Sequence, residues 1–291
     1  MKLNDTRGLR VFRFVNAAFL MLVSLIMIIP FWLIIVAAFS SENSITMYGY
    51  GLWPKEFSLD AFIYILAKGT IPRAYGVSIF VTVVGTLLAV VITAMMGYAL
   101  SRPNMKYRNG ISLVVYFTML FNGGLVPWYV MMGKYGLRDN IWALILPICF
   151  SPWNMYLIKN FFAGLPHELS EAARIDGAGE FTAFWRIMLP LAKPGLATIT
   201  LFYILAFWND WWLALNLVTD TELYPLQYLL RQVMSNVSYA GLKNQVGLVT
   251  TVPSETVKMA TCVVTIGPII LVYPFLQKYF IKGITVGAVK G

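Results

Sequence analysis

The sequence predicts an all-α membrane protein with six transmembrane helices and both termini cytoplasmic, and three observations predict it. Of the 291 residues, 59% are hydrophobic and only 12% are charged, whereas a soluble domain carries about 25% charged residues. Six apolar runs, at roughly 14–39, 75–100, 111–132, 141–159, 195–218 and 257–280, reach the ~20 residues that a helix needs to cross a bilayer. Basic residues crowd alternate connecting segments: Lys2, Arg7, Arg10 and Arg13; Arg102, Lys106 and Arg108; Lys159, Arg174, Arg186 and Lys193; Lys278, Lys282 and Lys290. These segments hold most of the 22 lysines and arginines, so the positive-inside rule puts them in the cytoplasm. The net charge of +9 then follows from topology and needs no nucleic-acid partner. Barrel strands would be shorter and would alternate in polarity.

The first run is too long for a secretory apolar region of about 7–15 residues, so it reads as an uncleaved span kinked at Pro30. Residues 40–74 carry Trp53-Pro54, Phe57 and Asp60 before an amphipathic piece, 61–67, suited to the outer interface. Gly123-Gly124, Pro127, Pro147, Pro152, Gly267-Pro268 and Pro274 break helices or permit close crossings. Cys149 and Cys262 lie in apolar runs and read as packing residues. His167, the only histidine, reads as a polar surface residue. Residues 219–255 form the longest outer segment, with Pro225, Gln227, Gln232, Asn236, Tyr239, Asn244 and Gln245, and exceed what a connector needs. They are either a partner surface or a solvated loop.

A charged stretch, 168–194, interrupts the second half. Helix-compatible residues lead into Asp176-Gly177-Ala178-Gly179, which predicts a tight turn. Beyond it, Phe181, Phe184, Trp185 and Met188 recur at i, i+3, i+4 and i+7 and predict a second helix whose apolar stripe anchors it before Pro190. Local composition alone leaves two readings open, an amphipathic loop helix and a docking element.

Within the fifth run, Trp208, Asn209 and Asp210 are candidates for a substrate path. They lie about 22 Å from the start of the run at 1.5 Å per residue, past the midplane. A carboxylate at that depth needs water or a partner. Aromatic faces beside an amide and a carboxylate also suit sugars, whose C–H faces stack while their hydroxyls bond. The alternative is an interfacial aromatic belt with a structural Asp210.

No phosphate-binding GxxxxGK[ST] loop is present, since Gly133-Lys134 lacks the first glycine and the hydroxyl. Nor is there a Ser-His-Asp set or a metal-ligand cluster. The chain reads as a non-enzymatic subunit with no catalytic residue, no metal and no cofactor of its own.

Glu171-Ala172-Ala173, three residues, Gly177, nine residues, Ile187, one residue and Leu189-Pro190 resemble the EAA signature of bacterial ABC importer membrane subunits. The tail, with Ile266-Gly267-Pro268, Tyr273-Pro274-Phe275-Leu276 and Gly287-Ala288-Val289-Lys290-Gly291, is similar to that of carbohydrate permeases related to the six-span maltose-importer subunit, MalG. Phe121-Asn122-Gly123-Gly124-Leu125-Val126-Pro127 resembles the LplC/YtcP-like branch, associated with complex oligosaccharides, which includes a permease of an alginate-oligosaccharide importer. The resemblance implies one permease domain over 1–291 with the type I (MetI/MalG-like) fold. It implies that Glu171 makes a charged contact with an ATPase, that Ala172, Ala173 and Gly177 let the helix seat closely, and that Asp176 belongs to the same docking set. It further implies a second homologous permease, two ATPase subunits carrying ATP and Mg, an extracytoplasmic solute-binding protein and an oligosaccharide substrate. The alternatives are a permease for a non-sugar solute and an ion-coupled secondary transporter. The latter would want several intramembrane acids and repeated halves.

Overall fold

The computed structural model describes residues 7–67, 69–166, 168, 175, 177–245 and 255–270. In chain order its helices are α1 (Arg7–Ala38), α2 (Glu42–Tyr48), α3 (Asp60–Ala67), α4 (Thr70–Ser101), α5 (Arg108–Leu120), α6 (Leu125–Lys134), α7 (Pro152–Ala163), α8 (Glu180–Leu191), α9 (Lys193–Asn209), α10 (Trp212–Leu217), α11 (Leu226–Gln245) and α12 (255–270). A tight 3-10 stretch, Ile141–Ile148, precedes α7. The chain groups into two compact units, Met1–Thr70 with Gln232–Ile266, and Ile71–Arg231 with Gly267–Gly291.

Among the described residues, Gly8–Ala38 and α4 are each long and apolar enough to cross a bilayer, and the number rises to five if each of three bent helix pairs is one crossing. The expected run 111–132 is one of these pairs. Its halves, α5 and α6, meet at 119°. The cause is local: Asn122 Oδ1 accepts the Gly124 N–H at 2.8 Å, and Gly124 adopts φ 86°, which side-chain-bearing residues avoid. The 13 residues of α5 extend about 20 Å, short of the ~30 Å hydrocarbon core. The sixth expected run is described only to residue 270.

In the first unit α1 continues through Pro30 and exposes apolar side chains such as Phe12, Phe19, Met21 and Leu25, while Val36, Ala37 and Ala38 at its end are buried. A helix without a polar face suits lipid or protein surroundings rather than water. After it, Phe39 packs on Phe57 and Phe62 at 5.8 and 4.7 Å. Ser41 Oγ caps α2 through the Ser44 N–H. Glu42, the first residue of α2, accepts the N–H groups of Glu255 and Thr256 and the Thr256 hydroxyl, at 3.1, 3.0 and 2.6 Å, and so caps the start of α12 from a distant segment. Burial and a hydrogen bond to Glu255 push the Tyr50 phenol up to about 12.

In the second unit α4 packs with α9 and with Ile141–Ile148, burying Val81, Ala89, Ile145, Tyr203 and Phe207. The close approach of α4 to α9 depends on Gly85, because a Cβ there would lie 2.5 Å from Phe207 Cε1. The long segment 219–255 is described as far as residue 245, and that part is largely helical rather than an open loop. Leu226, Leu229, Leu230 and Val233 give α11 a helical apolar repeat, and the buried Ser78 hydroxyl accepts its Leu226 N–H at 2.9 Å.

Candidate functional site

Glu171, Ala172, Ala173 and Asp176 lie outside the described residues, as does His167. Gly177 is described. It adopts φ 77°, and a Cβ built there would meet nothing within 4 Å. The predicted turn is therefore present, and within this chain the constraint on Gly177 is its backbone conformation.

From Gly179 the chain enters α8, whose first residue joins it to the end of α4. Glu180 accepts the Tyr98 hydroxyl at 3.1 Å and pairs with Arg102 at 3.3 Å. The Tyr98 ring lies 5.1 Å from Phe184 and 5.6 Å from Phe162 of α7, with the Arg102 guanidinium over its face. Phe184 and Met188 are buried in a cluster with Ala94, Ile158 and Ile199. The expected stripe is thus only half an anchor, a correction to the periodic reading. Phe181 and Trp185 are 70% and 38% exposed; they touch each other, and Trp185 meets the buried Phe184 edge-on at 5.2 Å. Residues 184–188 form a wide π-helical turn, which departs from the 3.6-residue spacing that the stripe assumes. From α8 the chain turns by 83° at Ala192 into α9.

Trp208, Asn209 and Asp210 have separate surroundings. Trp208 is buried and lines a cavity of about 440 Å³ with Thr82, Thr86, Thr200 and Ile204. The Thr82 and Thr86 hydroxyls are buried there without a hydrogen-bond partner among the described residues. Asn209 donates to the Leu205 carbonyl at 2.9 Å and accepts from Gln227 at 3.2 Å. Asp210 ends α9 in an extended conformation, and its carboxylate accepts the Leu213 N–H at 3.1 Å. It therefore caps α10, and the expected run 195–218 is broken at Asp210-Trp211. Of the flanking tryptophans, Trp211 lies under Arg231 at 3.8 Å and Trp212 packs on Trp128 at 4.6 Å.

Sequence reasoning missed Tyr203. Its hydroxyl, in the buried core, meets the Thr93 hydroxyl of α4 at 2.6 Å and accepts the Ser151 N–H at 2.9 Å. A tyrosine inside an apolar run is the signal available, since a buried phenol needs a partner. A second cavity, of about 530 Å³, opens beside Ser151 where the run 141–159 breaks.

Helices that bend inside apolar runs beside open cavities, with a short helix fastened to their ends, are the features of a membrane permease. The chain belongs to the family described as binding-protein-dependent transport system inner membrane components, whose model matches residues 7–286. It is 43% identical over 289 residues to protein LplC of Bacillus subtilis (strain 168), covering 99% of this chain and 98% of that one. It is 40% identical over 283 residues to the polygalacturonan/rhamnogalacturonan transport system permease protein YtcP of the same organism, covering 97% and 99%. The crystal structure of a bacterial ABC transporter involved in the import of the acidic polysaccharide alginate contains a chain that matches with a TM-score of 0.84 at 32% identity, covering 94% of this chain and 98% of that one. The resemblance to LplC/YtcP-like permeases and to the MetI-type fold holds at the level of family, fold and solved structure. The protein is an inner-membrane permease of the ABC importer class.

Proposed function

We propose that this chain is one of two homologous permeases in an importer that moves an oligosaccharide inward by alternating access. In this reading it spans the membrane six times with both termini in the cytoplasm. Two partner ATPases bind and hydrolyse ATP with Mg, and an extracytoplasmic binding protein delivers the sugar. The chain itself hydrolyses nothing. The substrate class is supported by the relatives, which include transporters of polygalacturonan/rhamnogalacturonan, of arabinooligosaccharides and of alginate.

The attachment of α8 carries the proposal. Segment 168–177 makes the ATPase contact through Glu171, Ala172, Ala173, Asp176 and Gly177. Closure of the ATPases pushes α8 through the Gly177 turn. Glu180 bonded to Tyr98 and Arg102, with Phe184 and Met188 buried between α4 and α7, passes that displacement to two membrane helices at once. Packed interiors transmit such shifts because they have low compressibility. Trp208 and its cavity are offered as part of the path, with Asn209 and Asp210 holding the break beside it.

Extraction of the tagged protein in mild detergent tests the assembly. The expected result is copurification of an ATPase and a second permease, with ATP hydrolysis stimulated by the sugar-loaded binding protein. Recovery of the chain without any ATPase would overturn the proposal.

A further inference from the structure

We infer that the break in the run 141–159 is a contact point for a sugar ring on the translocation path, with the Asn154 amide bonding a ring hydroxyl and the Trp153 indole stacking on the ring. This rests on the import function proposed above. Ile141–Ile148 and α7 meet at 49°, and Pro147 and Pro152 on either side of the break supply no N–H. Non-helical backbone at membrane depth is tolerated only where protein buries it or where it lines a water-filled cavity.

Ser151 meets the first condition in part and stands at the edge of a cavity. Its N–H is satisfied by Tyr203, and it borders the cavity of about 530 Å³ whose lining includes Phe150, Trp153, Asn154 and Phe202. That volume falls within the ~300–1,000 Å³ usual for small-molecule sites.

Asn154 is only 5% exposed, lines this cavity, and its side-chain amide makes no hydrogen bond among the described residues. An amide offers two donors and an acceptor, and with no protein partner for them at Asn154 they are left to water or to a ligand that reaches the cavity. A sugar hydroxyl both donates and accepts, so it satisfies the amide as water would. Trp153 is 65% exposed, and with Phe150 and Phe202 it presents aromatic faces of the kind that pack against pyranose C–H groups. No charged side chain lines the cavity, so the recognised feature is the hydroxylated ring rather than an ion. An acyl chain would leave the amide unpaired.

The test uses the intact importer with its partner subunits and binding protein in proteoliposomes, carrying Cys149→Ala and Cys262→Ala. Asn154→Cys is introduced into this background, with Trp153→Cys as a second, exposed position and Phe19→Cys as an apolar-surface control. A charged, membrane-impermeant methanethiosulfonate probes each thiol in nucleotide-free and vanadate-trapped states. The sugar probe is a mixture of oligosaccharides released from pectin, alginate, arabinan and starch, with imported components identified by mass spectrometry.

The expected result is labelling at both cavity positions in at least one state, slowed about tenfold by the imported sugar at ten times its half-saturating concentration, and no sugar effect at Phe19→Cys. Failure to label either cavity position in both states, or labelling that the imported sugar does not slow, would overturn the inference while leaving the import function standing. A wild-type complex that hydrolyses ATP yet imports no component of the mixture would overturn the oligosaccharide reading and this sugar site together.

Discussion

The hydroxyls of Thr93 and Tyr203 lie 2.6 Å apart between α4 and α9, both fully buried, and the same phenol oxygen accepts the Ser151 N–H. One atom therefore holds two membrane helices to the break in a third segment. Tyr203→Phe leaves the buried Thr93 hydroxyl and the half-buried Ser151 N–H without this partner, at about 1–3 kcal/mol. The thermal midpoint of the detergent-solubilised protein should fall, and more than with Thr93→Val, which leaves the Ser151 bond in place. Equal midpoints for Tyr203→Phe and wild type would contradict the bridging role.

Gly85→Ala should destabilise by about 1–3 kcal/mol through overpacking against Phe207. Phe207→Leu, itself mildly destabilising, should recover part of that loss in the double variant, because the two side chains compete for one space. Additive losses in a double-mutant cycle would show that the clash is relieved elsewhere.

The Glu180–Arg102 pair has its carboxylate half exposed, so its contribution to stability is at most about 1 kcal/mol. Its larger effect is expected on coupling. Glu180→Gln should leave the thermal midpoint nearly unchanged, yet lower uptake per ATP hydrolysed, with Tyr98→Phe having a smaller effect in the same direction. An unchanged ratio of uptake to hydrolysis in Glu180→Gln would remove this contact from the transmission route.

Gly177 separates backbone from seating effects. Asn tolerates positive φ better than Ala does, and the open space around Gly177 leaves room for either side chain in this chain alone. If the position only makes a turn, Gly177→Asn should transport better than Gly177→Ala. If it seats against an ATPase, both should fail, and Gly177→Arg should abolish uptake while membrane insertion persists. Wild-type uptake with Gly177→Arg would refute the docking role.

Asp139, between α6 and the 141–148 stretch, ties that loop to the segment after α10. Hydrogen bonds from the Thr219 N–H and hydroxyl, then the Asp220 N–H, hold its carboxyl below the usual carboxylate range. The folded state thus prefers the ionised form. The stability this contributes is present above the unfolded value of about 3.9 and is lost as pH falls through the lower folded value. Asp139→Asn tolerates the positive φ of 49° at this residue, so it removes charge without adding backbone strain. It should lower the thermal midpoint at pH 7 and flatten the decline below pH 4, as a pH series of melting curves would record.

That the apolar runs are helical was legible in the sequence, because an apolar run of bilayer length has few alternatives to a helix, whereas the bends that divide 111–132, 141–159 and 195–218 are set by local capping and turns. The glycine turn at 177 was legible for the same local reason. The α8 stripe was legible only in part, since a π-helical turn within it leaves no mark on a 3.6-residue repeat. The role of Tyr203 was not legible, because Thr93 and Ser151 stand 110 and 52 residues away in the chain.

By itself, then, the sequence determined membrane residence, helical class, the glycines and prolines able to interrupt the runs, and the motif that marks an ABC permease. Composition, turn chemistry and motif spacing are local properties that no distant residue can undo. Tertiary structure alone decided that Glu180 meets Tyr98 and Arg102, that Asp210 caps α10 rather than facing Trp208's cavity, and that the side-chain amide of Asn154 lies beside a cavity with no hydrogen bond among the described residues. Each of these depends on which atoms of remote segments come within about 3 Å, the range of a hydrogen bond, and a linear pattern carries no record of that.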